Sequence, residues 1–191
     1  MKKVLIISYF FPPCNLTASQ RTYAWARYLK QWGYAPIVIT RRWDHKINLL
    51  SDVSKRTGTE VVHEKNEDYE LYAIPYKGNL RDKLYALYGD KKFTVLRRLL
   101  TFLELLLQNF FPRFIPYYDM LRYAEEIAVK EKDIDRVIIS GNPFQAFWMG
   151  YYLHKKLGIK WVADYRDAWT TSEINQLGRS SLFRLLDRID R

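Results

Sequence analysis

Five apolar runs, separated by stretches of helical or polar character, constrain this chain most. KVLIISYFF (3–11), APIVITRR (35–42) and DRVIISG (135–141) are apolar over consecutive residues, as is the core of IKWVADYRDAW (159–169). A strand wet on one side alternates apolar and polar residues, whereas a continuous run needs cover on both faces. YELYAIPY (69–76) reads as a further strand. Between the first two runs, Tyr23, Ala24, Ala26, Tyr28 and Leu29 recur at helical spacing and end at Gly33, a helix with a glycine stop. MLRYAEEIAVKEKDI (120–134) is a second amphipathic helix, and NPFQAFWMGYYLHKKLG (142–158) a third, opened by Asn142 before Pro143 and closed at Gly158. Strands alternating with helices predict an α/β fold, a parallel sheet with helices on both faces, as a single domain over 1–191. Residues 43–68 are polar without a period, Gly78 to Arg113 reads as one long helical stretch, and FFPRFIP breaks it. SSLFRLLDRIDR (180–191) reads as a helix running to the last residue, as in a domain cut at its boundary.

Charge and cysteine usage narrow the partners. One cysteine, Cys14, allows no internal disulfide and fits a reducing, cytoplasmic setting. No histidine adjoins it, so it reads as an incidental loop residue and not as a nucleophile. MetLysLys before an apolar run resembles a signal peptide, but no small-residue cleavage site follows and Pro12–Pro13 does, which favours a first buried strand. The formal net charge of +10 points to anionic partners: nucleic acid, a phosphorylated ligand or an anionic membrane surface. No nucleic-acid-binding module is recognisable, which weakens the first. His45 and His63 fall in or beside the unpatterned region and His154 adjoins Lys155 and Lys156, so all three read as solvated and no metal site is expected.

In open parallel sheets ligands bind beyond the carboxyl ends of the strands. Three such exits carry chemistry. The first, SYFFPPCNLTASQR, offers Asn15, Thr17, Ser19 and Arg21 near a helix N-terminus, which attracts anions. It is not a dinucleotide fingerprint, since neither GxGxxG nor a Walker A lysine motif occurs. The second, SGNPFQ, places Ser140 and Asn142 at a strand-to-helix turn. The third, DYRDAW, sets Asp164 and Asp167 around Arg166, with Trp169 beyond. Two readings stay open for it: an ion network that holds the loop, or carboxylates that accept sugar hydroxyls beside an arginine that meets phosphate.

These residues carry a resemblance. SYFFPPCNLTASQRTYAWARYLKQWGYAPIVIT resembles the opening of the N-terminal domain of group 1 (family 4) glycosyltransferases of the GT-B fold. In DIDRVIISGNPFQAFWMGYYLHKKLGIKWVADYRDAW, the residues Ser140, Pro143, Gly158, Trp161, Asp164, Arg166, Asp167 and Trp169 fall on the pattern of one subgroup. The likeness covers most of the chain and is weakest over 43–118. It implies a Rossmann-like, acceptor-side domain, the N-terminal half of a two-domain enzyme. That enzyme would move a sugar from a nucleotide-sugar donor to a glycan or lipid-linked acceptor, with retention, in cell-envelope or surface-polysaccharide synthesis. No metal or other cofactor is implied, because the nucleotide-sugar is a substrate. The donor would be held mainly by a C-terminal domain with a Glu-x7-Glu element, which these residues do not include, so the fragment alone is expected to be inactive. The resemblance places Asp164 and Asp167 in the catalytic cleft against the transferred sugar or acceptor. Asn15, Thr17, Ser19, Arg21, Ser140, Asn142, Arg166 and Trp169 would contact substrate. No enzymic base need exist, since the leaving phosphate is often proposed to take the acceptor proton. The first loop lacks the glycines common in the group, which would let backbone approach a diphosphate closely. The competing expectation is a non-catalytic module that binds a glycan or lipid head group.

Residues 77–113 hold eight Lys/Arg against three Asp/Glu. Leu96, Leu99, Leu100, Leu103, Leu106 and Leu107 recur there at helical spacing, beside Arg97 and Arg98. A basic helix with an apolar face can lie in a membrane interface, with Arg97 and Arg98 as membrane contacts and the protein peripheral on the inner face of the plasma membrane. The other expectation, which a Rossmann-like domain favours, is that these leucines belong to the core.

Overall fold

A computed structural model of the chain describes residues 1–48, 50–89, 92–111, 117–141 and 143–165. Their strands are β1 (Lys2–Ser8), β2 (Tyr34–Arg41), β3 (Val62–Lys65), β4 (Glu70–Ile74), β5 (Ile134–Ser140) and β6 (Lys160–Asp164). The helices are α1 (Thr17–Tyr28), α2 (Leu80–Tyr88), α3 (Thr94–Phe110), α4 (Tyr118–Lys130) and α5 (Phe147–Leu157). One sheet in the order β3-β4-β2-β1-β5-β6 holds every strand. All neighbours run parallel except β3, which pairs antiparallel with β4 at the edge. The fold is α/β and Rossmann-like, with helices on both faces.

The continuous apolar runs explain the layering. Register sets Ile6 beside Val38 and Ile138, and Ile7 beside Ile39 and Ile139. Successive side chains point to opposite faces. Ile6, Val38 and Leu71 therefore pack with Ala26 of α1 on one face. Leu5, Ile7, Ile37, Ile39, Val137 and Ile139 lie on the other with α4 and α5. α4 turns Met120, Leu121, Ala124, Ile127 and Ala128 inward at the spacing of one helical face. Each fully buried isoleucine or leucine contributes about 1.5–3 kcal/mol. Gly33 and Gly158 end their helical segments in the left-handed region, at φ 81° and 70°, where a Cβ would be strained.

Two expectations are corrected, and the order of residues 43–68, which their sequence leaves open, is settled for the described residues. The stretch from Gly78 to Arg113 is two helices, α2 and α3, parted after Gly89. Residues 43–68 hold order that their polar sequence hides: a 3-10 turn at Leu50–Ser54 and the edge strand β3. The leucines of α3 are not core, since Leu96, Leu99, Leu103 and Leu107 are exposed and Leu100 and Leu106 only half-buried. Lesser shifts also occur: β1 stops at Ser8, and α5 begins at Phe147 after a 3-10 turn at Phe144–Ala146. The helix expected over 180–191 lies outside the described residues.

At the far edge α5 closes on β6 through a single glycine. A Cβ on Gly150 would stand 2.2 Å from Cε3 and 2.5 Å from Cδ2 of Trp161. The indole thus takes the space a side chain would fill. Gly150→Ala must push the helix off the ring, at a cost of about 1–3 kcal/mol, read as a lower midpoint in urea unfolding. At the opposite edge, burial alone would raise the Glu70 carboxyl. Hydrogen bonds from Tyr72 (2.6 Å), His63 (2.9 Å) and Lys65 outweigh that and pull it down to about 2. A depressed carboxylate contributes stability above its ordinary value of 4.5 that is lost as pH falls toward about 2. Glu70→Gln should therefore be less stable than the parent by about 1–2 kcal/mol at neutral pH. The gap should close between pH 4.5 and 2 in acid titrations followed by circular dichroism.

Candidate functional site

The chain leaves β1 for α1 on one face of the sheet and leaves β5 for α5 on the other. Diverging connections open a crevice beyond the carboxyl ends of the two strands, the usual ligand position in this architecture. Three segments remote in sequence meet there. Arg21 of α1 donates from Nη1 to Oδ1 of Asp164, at the end of β6, over 2.8 Å. Ser140, at the end of β5, donates from Oγ to Oδ2 of the same carboxylate over 3.1 Å. The Gly141 amide donates to the Asp164 carbonyl over 2.9 Å. A Cβ on Gly141 would lie 2.8 Å from the Phe147 ring, so this turn admits no side chain.

Burial ranks these groups. Ser140 is buried, the Asp164 side chain is 16% exposed and that of Arg21 44%. Each oxygen of the carboxylate is held by a donor and keeps a lone pair, a geometry suited to accepting a ligand hydroxyl. Arg21 engages one nitrogen, and its other donors meet no partner among the described residues. Beside them Tyr165 is exposed and stacked on Phe144, with centroids 6.0 Å apart and planes at 27°. Its ring also lies 4.7 Å from that of Phe147. The result is an aromatic surface next to a carboxylate, a hydroxyl and a cation.

The first loop divides its residues between scaffold and mouth. The Ser19 hydroxyl is buried, 2.7 Å from both the Cys14 and Leu16 carbonyl oxygens, and fixes the turn into α1. Asn15 accepts from the Ile47 amide over 2.9 Å and ties this loop to the segment after β2. Thr17 is exposed at the start of α1, whose N-terminus no side chain caps. Cys14 is buried, and burial pushes its thiol up, away from the thiolate a nucleophile needs. Asn142, Arg166, Asp167 and Trp169 lie outside the described residues. Arg97 and Arg98 belong to α3, a different element. His63 stacks on Tyr72 at 4.3 Å, and His154 meets the Ile159 carbonyl at 3.0 Å.

Sequence reasoning passed over Arg41 at the end of β2. Its side chain is 1% exposed, between the rings of Tyr76 (3.7 Å), Trp43 (4.2 Å) and Tyr9 (5.2 Å). Nη1 donates to the Tyr9 hydroxyl and to the Val53 carbonyl at 2.5 Å, and Nη2 to the Lys55 carbonyl at 2.8 Å. Tyr76 in turn donates to buried Asp82, whose amide donates to Asn79, the cap of α2, over 2.7 Å. Burial, more than the neighbouring Asp82, raises the Tyr76 hydroxyl far above its ordinary value, so it stays a donor. The residues around Arg41 come from the exits of β1, β2 and β4. The one legible signal was an arginine closing a buried strand among aromatic strand ends.

Compared with known proteins, the chain matches no family profile, and no curated protein matches it. Removing the guanidinium leaves two part-buried carbonyls and a buried hydroxyl without their donor. Arg41→Met should therefore cost about 2–4 kcal/mol of stability, measured by urea unfolding, with Arg41→Lys recovering only part because a single ammonium cannot reproduce the fork.

Proposed function

We propose that this chain is the acceptor-side domain of a retaining glycosyltransferase, which moves a sugar from a nucleotide-sugar donor onto a glycan or lipid-linked acceptor. The observation that carries the reading is the meeting of Arg21, Ser140 and Asp164 at the crevice beyond β1, β5 and β6. Ser140 and Asp164 fall on the pattern of the resemblance to group 1 glycosyltransferases, Arg21 lies in the first stretch that carries it, and Arg21 and Asp164 come together from positions 143 residues apart.

The chemistry suits the reaction. Glycosyl transfer needs a hydroxyl held in line with an anomeric carbon and a counter-charge for the departing diphosphate. Asp164 accepts from a hydroxyl of the acceptor or of the transferred sugar. Arg21 faces phosphate, alone or with Arg166, and holds Asp164 in place until substrate arrives. Tyr165, backed by Phe144, gives a sugar ring an apolar face to lie on. The resemblance assigns Asp167 a place against the transferred sugar or acceptor, and Asn142 and Trp169 substrate contacts; all three lie outside the described residues. Asn15 and Ser19 act through the loop they shape. No metal enters this scheme. With a lipid-linked acceptor, the enzyme works from the cytoplasmic side as a peripheral protein. Among the described residues no helix is long and apolar enough to cross a membrane.

In the full natural polypeptide, Asp164→Asn and Arg21→Ala should each lower turnover of a nucleotide-sugar by about a hundredfold or more. Stability should change by no more than about 1 kcal/mol, because the Arg21 end of the pair is exposed. Parallel transfer assays and melting curves check this. Equal losses in both would make the pair a loop clamp. Saturable glycan binding without turnover of any nucleotide-sugar would make the domain a binding module.

A further inference from the structure

α3 faces the wrong way for a helix of a globular domain. Its polar side meets the protein: Arg97 lies over the Tyr85 ring at 5.2 Å, and Glu104 accepts from Asn79 Nδ2 at 2.6 Å. Its apolar side faces out. Val95, Leu96, Leu99, Phe102, Leu103 and Leu107 are all exposed, Val95 at 81% and Leu99 at 52%. A surface helix ordinarily turns its apolar stripe to the core. A contiguous outward stripe marks a surface that something covers. At the same end of the hairpin Leu87 and Tyr88 of α2 are exposed, and Phe93 packs edge-on against Tyr88 at 4.9 Å.

A cavity of about 580 Å³ opens on another side of the same helix, between α2, α3 and the turn at Leu50–Ser54. Arg81, Arg97 and Arg98 line it together with the hydroxyl-bearing Ser54, Tyr85 and Thr94. Arg81 pairs with Asp82 at 3.0 Å, while Arg98 meets no carboxylate among the described residues. Guanidinium and hydroxyl donors around a cavity are a phosphate-binding set.

We propose that the α2–α3 hairpin docks on an anionic lipid surface, with the outward stripe of α3 in the acyl boundary and lipid phosphates in the arginine-lined cavity. Charge complementarity selects this occupant. Lys83, Lys92 and Arg98 of the same hairpin are exposed, as befits a sheet of phosphates and not the neutral stripe of a partner helix. Val95 and Leu96 of the stripe directly precede Arg97 and Arg98 of the cavity, so the two features share one turn of α3. Exposed Tyr88 supplies a ring of the kind that favours the headgroup level. With 17 residues, α3 is about 25 Å long, and it carries two arginines and a glutamate, so it lies in the interface. The proposal stands apart from glycosyl transfer: docking is read on vesicles without any sugar substrate.

The test floats the full chain with phosphatidylcholine vesicles, with and without phosphatidylglycerol. The chain should rise with the anionic vesicles alone, and less at high salt. Arg98→Glu, exposed and with no partner to lose among the described residues, should lower partitioning roughly thirtyfold, the effect of two charges near an anionic surface. Leu99→Ser with Leu103→Ser should abolish flotation while circular dichroism stays that of the parent. Equal partitioning into both vesicle types, none into either, or an unchanged Arg98→Glu would overturn the proposal. Inorganic phosphate bound in the cavity without flotation would assign it to a soluble anion. A dimer in sedimentation that the paired serine variant dissolves, again without flotation, would assign the stripe to a second copy. Either result overturns the lipid reading.

Discussion

The guanidinium of Arg41 is a full charge placed inside the protein, and among the described residues no carboxylate touches it. Burying an unpaired ion costs several kcal/mol. Three aromatic rings and three oxygen acceptors offset that here, each ring from a different strand exit. The compensation works only if all contributors are in place at once. β1 must end so that Tyr9 turns inward, β2 must carry Trp43 over the charge, and β4 must present Tyr76. The segment at Val53–Lys55 must fold back so that its carbonyls meet the fork. One buried cation thus sets the geometry of the sheet's carboxyl edge, and the first loop inherits its path from it. The Trp43 indole donates to the Tyr9 carbonyl at 3.1 Å, and Phe10 stacks on the same indole at 5.7 Å.

On that edge the strand exits serve two ends. Those of β1, β2 and β4 give Tyr9, Trp43 and Tyr76 to the cage. Those of β5 and β6, with Arg21 reaching across from α1, hold a carboxylate that is partly open. A rigid half beside a half with donors to spare is the arrangement a cleft needs. Preorganised groups lose little on binding, and the rigid half supplies the preorganisation. The same argument separates Ser19 from Thr17. Both are hydroxyls of one loop, yet Ser19 is consumed in making the turn, while Thr17 stands exposed at the start of α1.

What could be read in the residues follows from how local each signal is. Val4–Ile7 and Ile37–Ile39 announce buried parallel strands because their patterning is contiguous, and Gly33 and Gly158 announce helix ends because their φ is positive. Arg21, Ser140 and Asp164 could be named one by one from strand exits, but that Arg21 reaches Asp164 is a fact of sheet order and lies in no window of sequence. Arg41 was invisible for the same reason: its partners Tyr9, Trp43 and Tyr76 are spread over 67 residues and look like ordinary strand ends. β3 was missed because Val-His-Glu-Lys is polar. It is an edge strand held by cross-strand pairs such as His63 with Tyr72, not by burial. The leucines of α3 gave the right period and the wrong side. Periodicity tells that a helix has an apolar face but is silent on which way that face turns.

The direction of α3 is decided by its polar residues. Asn79 caps α2 by accepting from Asp82, and its amide nitrogen donates to Glu104. Asp82 is bound to Tyr76, and Tyr76 lies on Arg41. One cation–π contact and the hydrogen bonds that follow it therefore link the caged cation under the strand exits to the middle of α3 and hold that helix by its polar side. Buried networks of this kind are costly to break at any one member, because each loss leaves another polar group unsatisfied. Rotating α3 to hide its leucines would break the Asn79–Glu104 contact and uncover the α2 cap. The outward stripe is thus a consequence of the network that shapes the crevice. The hairpin and the crevice are anchored to one charge, so a surface that engaged α3 would also fix how the crevice is presented to it.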